Sequence, residues 1–143
     1  MPGILVGVDF SERMERVLKF AIEEARVRGE SIILLHCIEF PTSINPAVRP
    51  IVTKEVMKNA SKAEEVLMEK FSTVVEREGV RCERLIVTKS ENPGECILEI
   101  AEKYDVSLIV IGVRKRSPVG KLLFGSTAQY VLMNSRKPVA CVN

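Results

Sequence analysis

The residues best suited to bind a ligand lie in the segment IGVRKRSPVGKLLFGSTAQYVL, residues 111–132. This segment carries three glycines and four basic residues: Gly112, Gly120, Gly125, Arg114, Lys115, Arg116 and Lys121. Glycine packs no side chain and costs backbone entropy, so three in one connection indicate a backbone that turns sharply or approaches a ligand closely. The basic residues indicate that this ligand is an anion. As an alternative, the charges form only a solvated loop surface.

Two of the glycines stand at positions where a nucleotide can approach the backbone. Gly112 directly follows a predicted strand, where the missing Cβ would let a ribose or a phosphate lie against the chain. Gly125 and Ser126 begin a predicted helix, whose free N–H groups and dipole favour an anion. The alternative is that Gly125 serves a turn and that Ser126 only caps the helix.

Two further polar residues follow or lie within predicted strands. Asp9 follows the first strand, where it can accept a hydrogen bond from a base or sugar, or instead cap the first helix. His36, within an apolar run, is interpreted as a hydrogen-bonded core histidine rather than a catalyst. It is the only histidine, so a Ser-His-Asp triad lacks material. Only Asp9, His36 and Glu39 lie near the expected site and no Walker-type pair is present, so hydrolysis of a bound phosphate compound is expected to be slow or absent.

Length and composition indicate one domain spanning residues 1–143. The 46% hydrophobic content is enough for a core without a structural metal, and no cysteine or histidine pair has metal-ligand spacing. The four cysteines are predicted to be reduced packing residues. Lys and Arg number 21 against 19 Asp and Glu, with the signs interspersed, so neither nucleic acid nor a membrane surface is an expected partner. No signal peptide or membrane span is recognisable, so a cytoplasmic protein is expected.

Hydrophobic patterning predicts an α/β fold. Five short runs rich in Val and Ile read as strands: residues 3–8, 31–37, 83–88, 107–111 and 138–142. Their nearly continuous apolar character is typical of a parallel sheet that is covered on both faces. Residues 40–53, with three prolines, are interpreted as a surface loop.

The segments between the strands show helical periodicity and are predicted to be helices. The predicted inward-facing residues are Met14, Val17, Leu18, Ala21, Ile22 and Ala25 in a helix capped by Ser11 and ended by Gly29; Val56, Ala60, Ala63, Leu67, Phe71 and Val74 in a second; Ile97, Ile100, Ala101 and Tyr104 in a third; and Ala128, Val131 and Leu132 in a fourth, which begins near Ser126. Strands that alternate with helices form an open parallel sheet with helices on both faces. Ligands bind such sheets at the carboxyl ends of strands, here after strands one, two and four.

Together these residues resemble the universal stress protein family over nearly the whole chain. ILVGVDFSERMERVLKFA is similar to that family's first strand, ligand aspartate and first helix, and IILLHCIEF to its second strand. NPGECILEIAEKYDVSLIVIG is similar to its third helix and fourth strand. The resemblance implies a Rossmann-like fold of the adenine nucleotide alpha hydrolase type, with strand order 3-2-1-4-5.

The resemblance also implies a nucleotide loop of the pattern G-x2-G-x9-G-(S/T). Gly112 matches the first glycine and Gly125-Ser126 the last pair, whereas Lys115 stands at the second glycine. The implied ligand is ATP or another adenine nucleotide, with Mg²⁺ as a further candidate. The implied binding residues are Val8, Asp9, Cys37, Ile111, Gly112, Arg114, Lys115, Gly125, Ser126 and Thr127. The Lys115 ammonium would either pair with a phosphate or force the loop outward and exclude the ligand.

By the same resemblance the chain is expected to form a homodimer through its last strand, and to act as a stress-response regulator through dimer or partner changes. An apolar edge strand is a template for association that a protein usually has to cover. A second possibility is a dimeric interaction module of the same fold that binds no nucleotide.

Overall fold

The computed structural model describes residues 3–39, 49–89, 92–113 and 124–143. Strands and helices alternate through this part of the chain, as predicted. In chain order they are β1 (Gly3–Gly7), α1 (Met14–Arg28), β2 (Ser31–Glu39), α2 (Arg49–Arg77), β3 (Cys82–Lys89), α3 (Pro93–Lys103), β4 (Leu108–Gly112), α4 (Ser126–Asn134) and β5 (Val139–Val142).

The strands form one parallel sheet in the order β3-β2-β1-β4-β5, which confirms the predicted fold class and strand order. β1 pairs with β2 as far as Gly7 and Leu35. β2 and β3 continue to pair for four further residues, to Glu39 and Lys89. The predicted boundaries were therefore short for β2, because the strand continues beyond its apolar run.

A hydrophobic core covers each face of the sheet. On one face, α1 and α2 pack against residues such as Val6, Leu34 and Val110. On the other, α3 and α4 pack against Leu5, Leu35 and other strand residues. Each buried Val, Leu or Ile contributes about 1.5–3 kcal/mol relative to an exposed position, so the sheet is a stable base for the connections at its edge.

Helix α1 confirms the predicted buried stripe but not the predicted cap. All six residues expected to face inward are buried, and Gly29 ends the helix with φ 66°, a conformation that favours glycine. The helix begins at Met14, with Arg13 in the N-cap position. Ser11 does not cap it, because the Ser11 hydroxyl donates to Asp9 and accepts from the N–H of Arg13, which precedes the first helical residue.

Helix α2 corrects two predictions. It begins at Arg49, inside residues 40–53, which were expected to form a loop. Pro50 does not prevent this, because a residue in the first turn needs no N–H within the helix. Phe71 is half-buried against the core as predicted, but the fully buried residues in the described part of this helix, Met68, Ser72 and Val75, lie one position further along than predicted, and Val74 is 39% exposed. The side chains of Val56 and Ala60, which were also predicted to face inward, lie outside the described residues.

Helix α4 begins where it was predicted, whereas α3, which was expected to follow Asn92-Pro93-Gly94, already begins at Pro93. The side chain of Asn92 caps α3 by accepting a hydrogen bond from the N–H of Gly94 at 2.8 Å. Helix α4 begins at Ser126 and buries Ala128 and Val131. Leu132, which was predicted to face inward, is 42% exposed because it lies at the flank of this short helix.

The cysteines differ from the prediction. Cys37 and Cys96 form a disulfide, with their Cα atoms 6.7 Å apart, whereas Cys82 and Cys141 are free thiols. The prediction that all four are reduced is therefore wrong for two of them. The two half-cystines are 59 residues apart in the chain, and only the packing of α3 against the face of β2 that carries Cys37 brings them together.

Candidate functional site

A cleft of about 400 Å³ lies at the carboxyl ends of β1, β2 and β4, beside the start of α4. Ligands are expected at this end of an open parallel sheet, and the cleft volume lies within the usual range for small-molecule sites. Its described lining residues are Gly7, Val8, Asp9, Phe10, Arg13, Leu35, His36, Cys37, Pro93, Ile97, Ile111, Gly112, Val113, Gly125, Ser126, Thr127 and Ala128.

The turn after β1 is organised by Asp9. Its Oδ1 accepts hydrogen bonds from the N–H of Ser11, at 2.8 Å, and from the Ser11 hydroxyl. The hydroxyl oxygen of Ser11 in turn accepts from the N–H of Arg13 at 3.2 Å. Asp9 thus shapes the approach to α1 rather than capping it, and only one of its two carboxylate oxygens is used for this purpose.

Arg13 occupies the cleft side of the same turn, although it was not among the predicted site residues. Its Nη2 lies 3.6 Å from Oδ2 of Asp9, which is an ion pair but too long for a hydrogen bond. Its Nε is buried, and no acceptor among the described residues lies within hydrogen-bond reach. Arg13 is the only lysine or arginine among the described lining residues.

Asp9 and Arg13 also lie over Gly112. A Cβ built on this glycine would come within 3.3 Å of Oδ2 of Asp9 and 3.5 Å of Nε of Arg13. The space left by the missing Cβ, which was interpreted as room for a ribose or phosphate, is therefore shared with these two side chains. The missing Cβ eases the approach of Asp9 and of the Val17 side chain, which would also lie at 3.3 Å, whereas 3.5 Å to Arg13 is an ordinary contact.

The end of β2 supplies the backbone of the opposite wall. The N–H of Val8 donates to the carbonyl of Leu35 at 2.8 Å, so this carbonyl is directed towards the chain that continues β1. Since alternate residues of a strand direct their peptide groups to the same side, the N–H and C=O of Cys37 point into the cleft. The Cys37 side chain is bonded to Cys96 of α3.

His36 points to the other face of the sheet. Its Nε2 lies 3.0 Å from Oε1 of Glu64 in α2, and the Phe10 ring contacts the imidazole edge-on at 4.7 Å between ring centres. This arrangement agrees with the interpretation of His36 as a hydrogen-bonded core residue.

The start of α4 is open towards the cleft. Gly125 is the N-cap residue, and no side chain within the described residues caps the helix, so Ser126 does not have the capping role considered as an alternative. Gly125 has φ −66° and ψ 166°, which most residues can adopt, and no described atom lies within 4 Å of a Cβ built on it. The first N–H groups of α4 are therefore positioned to receive an anion.

The structure brings eight of the ten predicted site residues to this cleft: Val8, Asp9, Cys37, Ile111, Gly112, Gly125, Ser126 and Thr127. The other two, Arg114 and Lys115, lie outside the described residues, as does Gly120. The sequence interpretation missed Arg13, because basic residues were sought only in the connection after β4. The available signal was the spacing of four between Asp9 and Arg13, which places them one helical turn apart.

Within the described ranges of the chain, no group of three or more His, Cys, Asp or Glu side chains is arranged to hold a metal ion. No helix in the same ranges has the length and apolar character needed to cross a membrane.

Comparison with known proteins identifies relatives over the whole chain. The sequence pattern that defines the universal stress protein family matches residues 2–143. Universal stress protein MJ0577 of Methanocaldococcus jannaschii is 28% identical, over 97% of this chain and 93% of that protein. The structure of a universal stress protein from Archaeoglobus fulgidus has 34% sequence identity and a TM-score of 0.80, covering 100% of this chain and 99% of the other.

A universal stress protein from the same organism has been solved in complex with dAMP. It is 29% identical to this chain, with a TM-score of 0.75 and coverage of 100% and 98% of the two chains.

Proposed function

The chain belongs to the universal stress protein family, and on this premise we propose that it binds an adenine nucleotide in the cleft at the ends of β1, β2 and β4. ATP is the nucleotide to be tested first, with and without Mg²⁺. Binding would then alter the dimer or its partners as part of a stress response. The cleft geometry and a solved relative bound to a nucleotide support the proposal.

The observation that carries the proposal is the open glycine at the start of α4. Gly125 has no positive φ to account for it, and no described neighbour restricts a side chain at this position. A ligand that must approach the helix N-terminus closely provides the missing reason for glycine. The uncapped N–H groups beside it suit a phosphate.

The other end of the cleft suits an adenosine. The backbone N–H and C=O of Cys37 offer one donor and one acceptor at the end of β2, which is the pairing that an adenine edge requires. Oδ2 of Asp9 can accept a hydrogen bond from a sugar hydroxyl. The solved relative bound to dAMP carries a base, a sugar and one phosphate in a fold that matches this one over its whole length.

Calorimetric titration of the purified protein with ATP, ADP and AMP tests the proposal. Saturable binding of at least one of them, with one site per chain, is the expected result. Acid denaturation followed by chromatography would also detect any adenine nucleotide that is carried through purification. If neither measurement finds a nucleotide at millimolar concentration, the dimeric interaction module becomes the better description of the chain.

Rapid hydrolysis of the nucleotide is not part of the proposal. His36, the sole imidazole of the chain, is paired with Glu64 on the face of the sheet that packs against α2. Asp9 is tied to the turn after β1. Neither is arranged as a free general base beside the start of α4. Phosphate release from ATP is accordingly expected to be slow or absent.

A further inference from the structure

We propose that Arg13 is the phosphate-recognising residue of the cleft, so that the site selects a nucleotide over a nucleoside. The inference rests on the proposed function, because it concerns the same ligand. It adds a binding role for a residue of the turn after β1, which is separate from the connection after β4 where an anion site was predicted.

The hydrogen bonds of Arg13 are incomplete in the structure. A guanidinium carries five N–H donors in a fixed planar arrangement. Among the described residues its Nε has no acceptor although it is buried, and its contact with Asp9 is 3.6 Å long. A buried donor without an acceptor destabilises the fold, and a ligand that provides an acceptor would remove this cost.

The position of Arg13 selects the kind of acceptor. The guanidinium lies beside Gly112, on the same cleft as the uncapped N–H groups at the start of α4. Both features favour a negative charge, and a guanidinium binds a phosphate with two parallel hydrogen bonds. Since Arg13 is the one cationic side chain among the described lining residues, a phosphate ester is the ligand that it and the helix can share.

The backbone of Arg13 is held in place while its side chain can rotate. The N–H of Arg13 donates to Ser11 and its carbonyl accepts from Val17 at 3.0 Å, so the turn fixes the Cα position. With the side chain 27% exposed, the guanidinium can turn from Asp9 to a phosphate in the cleft. Oδ2 of Asp9 is then released to accept from a sugar hydroxyl, and the two ends of a nucleotide are recognised together.

Titrations with AMP, adenosine and inorganic phosphate test the role of Arg13. We expect the parent protein to bind AMP at least tenfold more tightly than adenosine. In Arg13→Ala this preference should fall to less than threefold, because only the phosphate contacts the guanidinium. Arg13→Lys, which retains the charge but not the planar set of guanidinium donors, should recover part of the preference for AMP. Weak binding of inorganic phosphate alone would show that the base and sugar are needed for affinity.

Arg16→Ala is the matched control. It removes the same charge one turn further along α1, where the Nε of Arg16 donates to the carbonyl of Asn143 at 2.8 Å, away from the cleft lining. Its AMP affinity should stay within twofold of the parent. Thermal unfolding of each variant checks that the fold is retained, and Arg13→Gln provides a second neutral variant if Arg13→Ala is unstable.

The outcomes separate the two proposals. If the parent binds AMP and adenosine equally, or if Arg13→Ala and Arg13→Gln keep the parent's preference for AMP, Arg13 does not recognise phosphate although the chain still binds adenine compounds. If the parent binds none of the adenine compounds, the proposed function fails, and the role of Arg13 fails with it.

Discussion

A disulfide bond joins Cys37 of β2 to Cys96 of α3, and Cys37 also lines the cleft. The bond therefore ties one wall of the candidate site to the helix that begins beside it at Pro93. Both the stability of the chain and the shape of the cleft depend on a connection that a reducing agent can break.

Loss of this disulfide should destabilise the protein measurably. In the chain-entropy model, a cross-link between residues 59 positions apart stabilises the folded state by about 4 kcal/mol. Urea unfolding should therefore show a lower free energy of unfolding for Cys37→Ser than for the oxidised parent. Cys141→Ser, which removes an exposed free thiol, is the control and should behave like the parent. Equal stability of the parent with and without dithiothreitol would mean that the bond does not form in solution.

The two free thiols should differ in reactivity. Burial raises the pKa of Cys82 to about 12, with a smaller contribution from Glu76. At pH 8 only on the order of 10⁻⁴ of this thiol would be thiolate, the reactive form. Burial also raises the pKa of Cys141, but its side chain is exposed. Iodoacetamide should thus label Cys141 first, as peptide mass spectrometry can determine. Labelling of Cys82 at the same rate in the native protein would contradict this expectation.

Gly125→Val should abolish nucleotide binding without unfolding the protein. The backbone angles at Gly125 are accessible to valine, and no described atom obstructs the new Cβ, so the unfolding temperature should change little. The branched side chain would fill the space in front of the first N–H groups of α4, where the phosphate is proposed to lie. Calorimetry with ATP compares the variant with the parent.

Gly125→Ala is the graded control for the same position. Its smaller side chain should weaken binding less than valine does. Undiminished ATP affinity in Gly125→Val would place the phosphates elsewhere.

Dimerisation through β5 can be tested at Cys141. The structure places β5 at an edge of the sheet, and the carbonyls of Pro138 and Val142 accept hydrogen bonds from β4. Since peptide groups alternate along a strand, the N–H of Cys141 points away from β4. Cys141→Pro should therefore keep the pairing with β4 but prevent a second copy from pairing with the edge.

Light scattering at micromolar concentration measures the outcome. The parent and Cys141→Ser should show twice the chain mass, and Cys141→Pro the mass of one chain. A parent that remains monomeric as its concentration rises would exclude the dimer.

The ion pair between Asp105 and Lys137 should make a small, pH-dependent contribution to stability. A hydrogen bond from Lys137, together with its charge, lowers the pKa of Asp105 from its ordinary value of 3.8. A lowered carboxyl pKa stabilises the fold above the unfolded value, and this contribution disappears as the pH falls through the folded value. Asp105→Asn should lower the unfolding temperature slightly at pH 7 and not at pH 2.

Asparagine is the suitable replacement because Asp105 has φ 47°, a conformation that asparagine tolerates. A difference between the parent and Asp105→Asn that persists unchanged at pH 2 would show that it arises from something other than this ion pair.

The sequence predicted the architecture well because the signals for it are local. Continuous apolar runs identified the buried parallel strands, and the six inward positions of α1 followed from helical spacing alone. The location of the cleft, at the carboxyl ends of the strands, followed from the topology. The boundaries of β2 and α2 were less accessible, because β2 is extended by pairing with β3 and α2 begins within a proline-containing segment.

The finer geometry of the site depends on contacts between distant residues. The bond between Cys37 and Cys96 requires α3 to lie on one particular face of β2, which no local pattern specifies. The position of Asp9 and Arg13 beside Gly112 likewise requires β1 and β4 to be neighbours, although they are about 100 positions apart in the chain. Residue types identified the cleft, but only the tertiary packing determined which side chains lie next to one another in it.

β2 extends four residues beyond its pairing with β1, and this extension affects which binding preferences of the site can be changed by substitution. The four residues from His36 to Glu39 remain paired with β3, so the Cys37 backbone groups that are proposed to face an adenine belong to the sheet itself. The charge that is proposed to face a phosphate belongs to one side chain in a short turn, at Arg13. Substitution can change that charge without rebuilding the sheet, whereas the base end is built from backbone that no side-chain replacement removes. A library randomised around this cleft should therefore yield variants with altered phosphate preference far more readily than variants with altered base preference.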